Sequence, residues 1–223
     1  MKWWKPDAID LLGDIDNADT TSRWADGTTK ETFSIEDEGV RDTKNFLLDI
    51  KSAAPKADKH FHDGNHGWTR HEAYIDKKAP TLAGLISPDL LYGYTNAGFA
   101  WHRYDEPPVK RFGDMYAHHG ESISKHAGES VRNDVSNWGV SLVRGHSHRQ
   151  GVYNLTYDLT GQRLRGYEIG HLTNEDSLTY SISKNWQAGF AIANVENGEY
   201  PHMQLIEITK DYTCYVDGKK FSA

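Results

Sequence analysis

His146 and His148 stand one residue apart, directly after the short apolar run Val140, Leu142 and Val143 and the glycine Gly145. If that run is a buried strand, Gly145 lets the chain turn at its end and both imidazoles reach the rim of a sheet. Neutral imidazole is an adaptable nitrogen ligand for transition metals. In a chain with 12 histidines, a polar loop with two surface histidines would explain that pair equally well. The same arrangement recurs upstream, however. Gly13 and Asp14, with Asn17 three residues on, follow one apolar run. Asn65 and His66 follow Gly64 after a second, and His119 precedes Gly120 after a third. A carboxylate, amide oxygens and imidazoles at successive strand ends point to a shared cation. Mn, Fe, Zn or Ni suit that donor set better than Ca or Mg, which favour all-oxygen cages.

The elements that must position these residues alternate. Asp7 to Leu12 reads as a buried strand, and Ile35 to Ala54 as a helix. Val40, Leu47, Ile50 and Ala54 share one face of that helix, acidic residues fill its first turn and Pro55 closes it. Ala57 to His62 is a second strand and Trp68 to Lys78 a second helix. The aromatic stretch from Leu82 to Pro108 reads as short helices and loops lying over the site. Asp114 to His118 is a strand. Ser122 is expected to cap a helix carrying Ile123, Ala127, Val131 and Val135 at four-residue spacing. After His148 the pattern turns to short alternating strands: Val152–Tyr157, Leu164–Ile169, Gly189–Val195, Met203–Ile208 and Tyr212–Val216. Glycine turns fall at Gly161, Gly198 and Gly218. The expectation is one α/β domain over residues 1–223, with βαβ units first and an antiparallel meander last.

Composition narrows the class further. The 223 residues are 37% hydrophobic with a net charge of -7 and a mean hydropathy of -0.73. No apolar run approaches the roughly 20 residues of a membrane span, and Met1 to Pro6 lacks a secretory apolar region. The single cysteine, Cys214, excludes an internal disulfide, reads as an inert strand residue and fits a cytoplasmic protein. The acidic balance argues against bulk electrostatic binding of nucleic acid. A local basic rim of Lys125, Arg132, Arg144 and Arg149 could still meet a phosphate, with Arg149 the substrate-binding candidate.

In their order, these motifs resemble the calcineurin-like metallophosphoesterases, whose signature runs Asp-x-His, Gly-Asp-x-x-Asp/Asn, Gly-Asn-His, His-Gly and Gly-His-x-His. The match covers roughly Trp4 to Arg149. The stretches Gly64 to Arg70 and Ser124 to Ser130 look like the phage-encoded members. The resemblance implies an αββα sandwich of mixed sheets flanked by helices. It also implies metal ligation by Asp14 (bridging), Asn65, His119 and His146, with His148 on the other cation. His66 would be the non-ligand histidine that meets the phosphate and aids the leaving group, partnered by a carboxylate such as Asp16 or Asp63. Asn17, where many members have aspartate, would hydrogen-bond within the ligand shell. One or two divalent transition metals per chain would polarise a phosphoryl oxygen and acidify a water for in-line attack. The expected activity is a phosphodiesterase or nuclease, working in the cytoplasm of an infected cell if phage-encoded.

The family's Asp-x-His strand has no counterpart here. Its absence leaves only Asp14 and His148 at the first metal site, while the second set is complete. Three readings follow: a shortened two-metal enzyme, a one-metal enzyme in which His60, His62, Asp16 or His118 substitutes, or a metal-binding pseudoenzyme acting as an interaction module. In the last, Trp3 and Trp4 would meet a partner chain or a second copy that covers the missing strand. His60 and His62 share a strand face and read better as satisfied strand residues than as ligands. His118 should point away from its neighbour. His171, at a strand end, could reach the site. Asn185, Trp186 and Gln187 read as packing residues.

Overall fold

The computed structural model describes residues 5–174, 184–196 and 200–222. Trp3, Trp4 and the turn at Asn197 and Gly198 lie outside the described residues. The chain divides into two compact units, Met1–Glu106 and Pro107–Ala223.

The first unit is built on a parallel three-stranded sheet in the order β1 (Ala8–Leu11), β2 (Asp58–His62), β3 (Phe99–His102). A single π-helical turn, Glu36–Val40, runs into α1 (Arg41–Ala53). The expected apolar face is buried, with Val40 and Leu47 fully enclosed. The helix ends at Ala54, as the residue before a proline disfavours the helical conformation. Helix α2 spans Trp68–Lys78, the bounds read from the sequence.

Two short helices follow, α3 (Pro88–Tyr92) and α4 (Tyr94–Ala97). Tyr92 and Tyr94 are only 2% exposed and pack with Leu47, Ile50, Phe61, Trp68 and Phe99. These two aromatics therefore form core and do not lie over a site, contrary to the sequence expectation. The physical reason is volume: a three-stranded sheet with strands of four or five residues has too little aliphatic surface, and large rings fill the layer. The strand β3 was itself hidden in this aromatic stretch.

The second unit holds a mixed sheet in the order β4 (Val109–Phe112), β5 (Met115–His118), β6 (Ser141–Arg144), β8 (Arg163–Ile169), β7 (Gln150–Thr156). The pairs β5–β6 and β6–β8 are parallel, while β4–β5 and β7–β8 are antiparallel. Helix α5 (Glu129–Trp138) is the crossover between β5 and β6, and it sets Val131 and Val135 against Leu142 and Leu164. The hairpins β9 (Gly189–Asn194) with β10 (His202–Glu207), and β11 (Thr213–Val216) with β12 (Lys219–Ser222), complete the unit. Asp217 and Gly218 both take positive φ in the second turn, as a two-residue hairpin loop requires. Cys214 lies half-buried on β11 with a free thiol. The chain is thus α/β with mixed sheets and few helices.

Helix α5 starts six residues later than a cap at Ser122 predicts. Ile123 is 68% exposed and Ala127 is exposed too, so two of the four periodic apolar residues never join the helix. Buried side chains from elsewhere take up the backbone N–H groups of the segment before it. Asp134 accepts from Glu121 and Ser122, Ser130 Oγ accepts from Ser124, and Glu168 accepts from Gly128. Tertiary hydrogen bonds outcompete the four-residue period there. Among the described residues, no helix is long and apolar enough to cross a membrane.

Candidate functional site

Every motif residue sits just past the carboxyl end of a strand, and the motifs fall in pairs on neighbouring parallel strands. In the first unit the loops after β1 and β2 carry Asp14 and Asn65. In the second unit the loops after β5 and β6 carry His119 and His146. Parallel neighbours put their carboxyl ends on the same edge, so each unit presents its candidate ligands along one edge of its sheet.

In the first unit the two loops touch. Asp14 takes φ 54°, and its Oδ1 accepts the His66 backbone N–H at 3.0 Å. A Cβ at Gly64 would meet Asp14 Oδ1 at 2.0 Å and the Asp14 backbone nitrogen at 2.9 Å, so only glycine permits this approach. Asn17 Nδ2 donates to Asp19 Oδ1 at 2.6 Å, which fixes the amide with its oxygen towards His66. His66 Nδ1 lies 2.6 Å from that oxygen and must therefore donate to it. The opposite nitrogen, Nε2, accepts from Arg70 Nη2 at 2.7 Å, while Arg70 Nη1 donates to the Asn17 carbonyl at 2.7 Å. The His66 ring is thus held as the Nδ1–H tautomer.

This arrangement corrects the expected carboxylate partner of His66. Asp16 is turned inward, accepting from the Ala18 N–H at 2.8 Å and the Tyr92 hydroxyl at 2.7 Å, with His71 Nε2 at 3.4 Å. Burial alone would push the Asp16 carboxyl up. The bonds from His71, Ala18 and Tyr92 outweigh it, and the group ends below the usual carboxylate range. Burial and the neighbouring Asp16 charge together raise the Tyr92 hydroxyl far above an ordinary phenol. Asp63, also offered as a partner, is buried, and the His66 ring meets Asn17 and Arg70.

In the second unit His119 Nε2 and His146 Nδ1 approach to 3.0 Å, with the rings edge to face. His146 and His148 both take positive φ, 64° and 59°, so the Gly145-to-Arg149 loop is coiled more tightly than Gly145 alone would suggest. A Cβ at Gly120 would meet Arg144 Nε at 2.3 Å. Arg144 itself is fully buried and paired with Asp134 at 2.6 Å. It belongs to the framework beneath the loops and not to a basic rim. Lys125 and Arg132 are exposed. Arg149 is half-buried, and its Nη1 donates to the Ser147 carbonyl at 3.3 Å.

His148 points into a different cluster. Its ring packs edge-on against Trp186 at 4.6 Å and lies 5.3 Å from that of His171. His171 Nδ1 accepts from the Thr173 N–H at 3.2 Å. The other candidates for the first metal site are engaged as well. His62 Nε2 is 2.8 Å from Asp10, His60 Nδ1 is 2.6 Å from His102, and His118 Nδ1 accepts from the Gly120 N–H. Sequence reasoning missed Arg70 as a site residue. Its signal was the spacing of four from His66 at a helix start, which brings two side chains together.

No protein-family model matches the chain. It is similar to two phage proteins known only as gene products. These are the Gene 54 protein of Mycobacterium phage L5, 27% identical over 92% of this chain and 82% of the relative, and the Gene 54 protein of Mycobacterium phage D29, 25% identical over the same shares. The phage character read from the motifs accords with both relatives, whose names say nothing about activity.

Proposed function

We propose that the chain is a metal-dependent phosphoesterase of the calcineurin-like type, a phosphodiesterase or nuclease at work in phage-infected cells, on an αββα-sandwich plan. The observation that carries the proposal is the 3.0 Å approach of His119 Nε2 and His146 Nδ1. Two imidazole nitrogens at that separation suit adjacent positions around one small cation of the Mn, Fe, Zn or Ni kind. By the resemblance, Asp14 and the Asn65 amide oxygen would be the further donors to that cation. When bound, such a cation would polarise a phosphoryl oxygen and acidify a water molecule.

The chain's own residues do the rest. Asn17 holds the His66 proton on Nδ1, and Asp14 fixes the backbone of the same loop through the His66 N–H. Arg149 is the basic group assigned to the substrate on the second unit. His148 remains the family's candidate for a second cation. With His60, His62, Asp16 and His118 committed to other partners, one tightly held metal per chain is the stoichiometry proposed.

The test is hydrolysis of an activated nitrophenyl phosphodiester with added Mn²⁺, beside elemental analysis of bound metal. Turnover that depends on metal, and that falls sharply in Asn65→Ala and His66→Ala, is the expected result. A wild-type rate no higher than those variants would sink the enzyme reading and leave an inactive interaction module.

A further inference from the structure

We infer that Arg70, and not His66, is the side chain that meets the phosphoryl oxygens, with His66 serving to hold Arg70 in place. The inference rests on the phosphoesterase reading and changes who does what within it. A histidine that protonates a leaving group needs a proton on the nitrogen it presents. His66 keeps its proton on Nδ1, bonded to Asn17 Oδ1 at 2.6 Å, and Nε2 is already an acceptor for Arg70 at 2.7 Å. Nε2 is therefore occupied as an acceptor for the guanidinium.

Arg70 has the chemistry that the position calls for. Its guanidinium is planar, permanently charged and shaped to take two oxygens of a phosphate at once. Two anchors hold it, His66 Nε2 through Nη2 and the Asn17 carbonyl through Nη1, and Asp19 stands 3.6 Å away. It is half-buried at the first turn of α2, one turn beyond the Asn65 and His66 loop. An anionic oxygen is a far stronger acceptor than a neutral imidazole nitrogen. An incoming phosphoryl oxygen should thus draw Nη2 from Nε2 with little movement. The charge that builds on the departing oxygen is then met by the guanidinium.

The experiment uses the full chain loaded with Mn²⁺, an activated nitrophenyl phosphodiester as substrate and inorganic phosphate as a competing ligand. Arg70→Ala should keep the wild-type metal content, lose about 100-fold in kcat/KM and weaken inhibition by phosphate. Arg70→Lys should recover part of the phosphate affinity but little of kcat, because it keeps the charge and loses the fork. Added guanidinium ion at millimolar concentration should restore turnover to Arg70→Ala and not to Asn65→Ala, a rescue that a purely structural role would not show. His66→Gln, which keeps an acceptor within reach of Arg70, should retain more activity than His66→Ala. Arg70→Ala with rate and phosphate inhibition within twofold of wild type would overturn the inference, as would loss of bound metal in that variant. If the wild-type chain itself shows no metal-dependent turnover, the phosphoesterase reading fails. Calorimetric titration of inorganic phosphate into wild type and Arg70→Ala still decides Arg70, which is rejected if both bind equally.

Discussion

At the scale of single residues, the loop after β1 works by facing two of its carboxylates, Asp14 and Asp16, in opposite directions. Asp14, at positive φ, reaches the neighbouring loop, while Asp16 turns into the core to meet Tyr92, His71 and the Ala18 N–H. A sequence shows only that two carboxylates alternate. Which one faces the loop after β2 depends on the left-handed turn at Asp14 and on a tyrosine 76 residues from Asp16. For the same reason Asp16 was legible as a polar loop residue but not as a buried anchor. Tyr92→Phe tests the anchor. Removing the hydroxyl leaves a buried carboxylate short of one donor, which costs about 1–3 kcal/mol. Chemical denaturation should show that loss while metal content per chain stays at the wild-type level. An unchanged midpoint would mean that Asp16 is satisfied without Tyr92.

At the scale of elements, what the sequence disclosed and what it hid follow from period and length. Helix α1 was legible from its apolar face, and both α1 and α2 from a stop signal, Pro55 after the first and Pro80 after the second. The strands β3, β4 and β12 were not legible, since four residues give few alternations, and the equally short β1, β5 and β6 were read only with the help of the motif glycines that follow them. The candidate ligands were found without β3, β4 and β12 because they follow β1, β2, β5 and β6, each marked by a glycine nearby. The glycines also carry the site's precision. Gly64→Ala places a Cβ 2.0 Å from Asp14 Oδ1, so the β1 and β2 loops must part. Overpacking of this kind costs about 1–3 kcal/mol. The larger effect expected is on function: bound metal per chain should fall below half of wild type. Gly27→Ala is the control, since a Cβ there meets nothing within 4 Å, and it should keep its metal despite some backbone strain. Full metal content in Gly64→Ala would show that the two loops are not required to touch.

At the scale of the whole molecule, charge decides how a polyanionic substrate must arrive. The chain carries 25 basic and 32 acidic residues for a net charge of -7. The basic rim expected from sequence is thinner than its residue count, because Arg144 is buried against Asp134. Proteins that grip nucleic acid through a basic face lose affinity steeply as salt rises, because counterions are released on binding. Here the long-range field would oppose the proposed polyanion instead, and only short-range contacts and the proposed cation would favour it. Raising the salt concentration shortens the Debye length to about 8 Å at physiological ionic strength, which weakens the repulsion between distant like charges and leaves contacts at the site largely intact. The kcat/KM for an oligonucleotide should therefore rise or hold level between about 0.02 and 0.15 M monovalent salt. A small nitrophenyl phosphodiester, bearing one charge, should respond less over the same range. A steep fall in oligonucleotide kcat/KM with salt, unmatched by the small ester, would show that a basic surface guides the substrate after all.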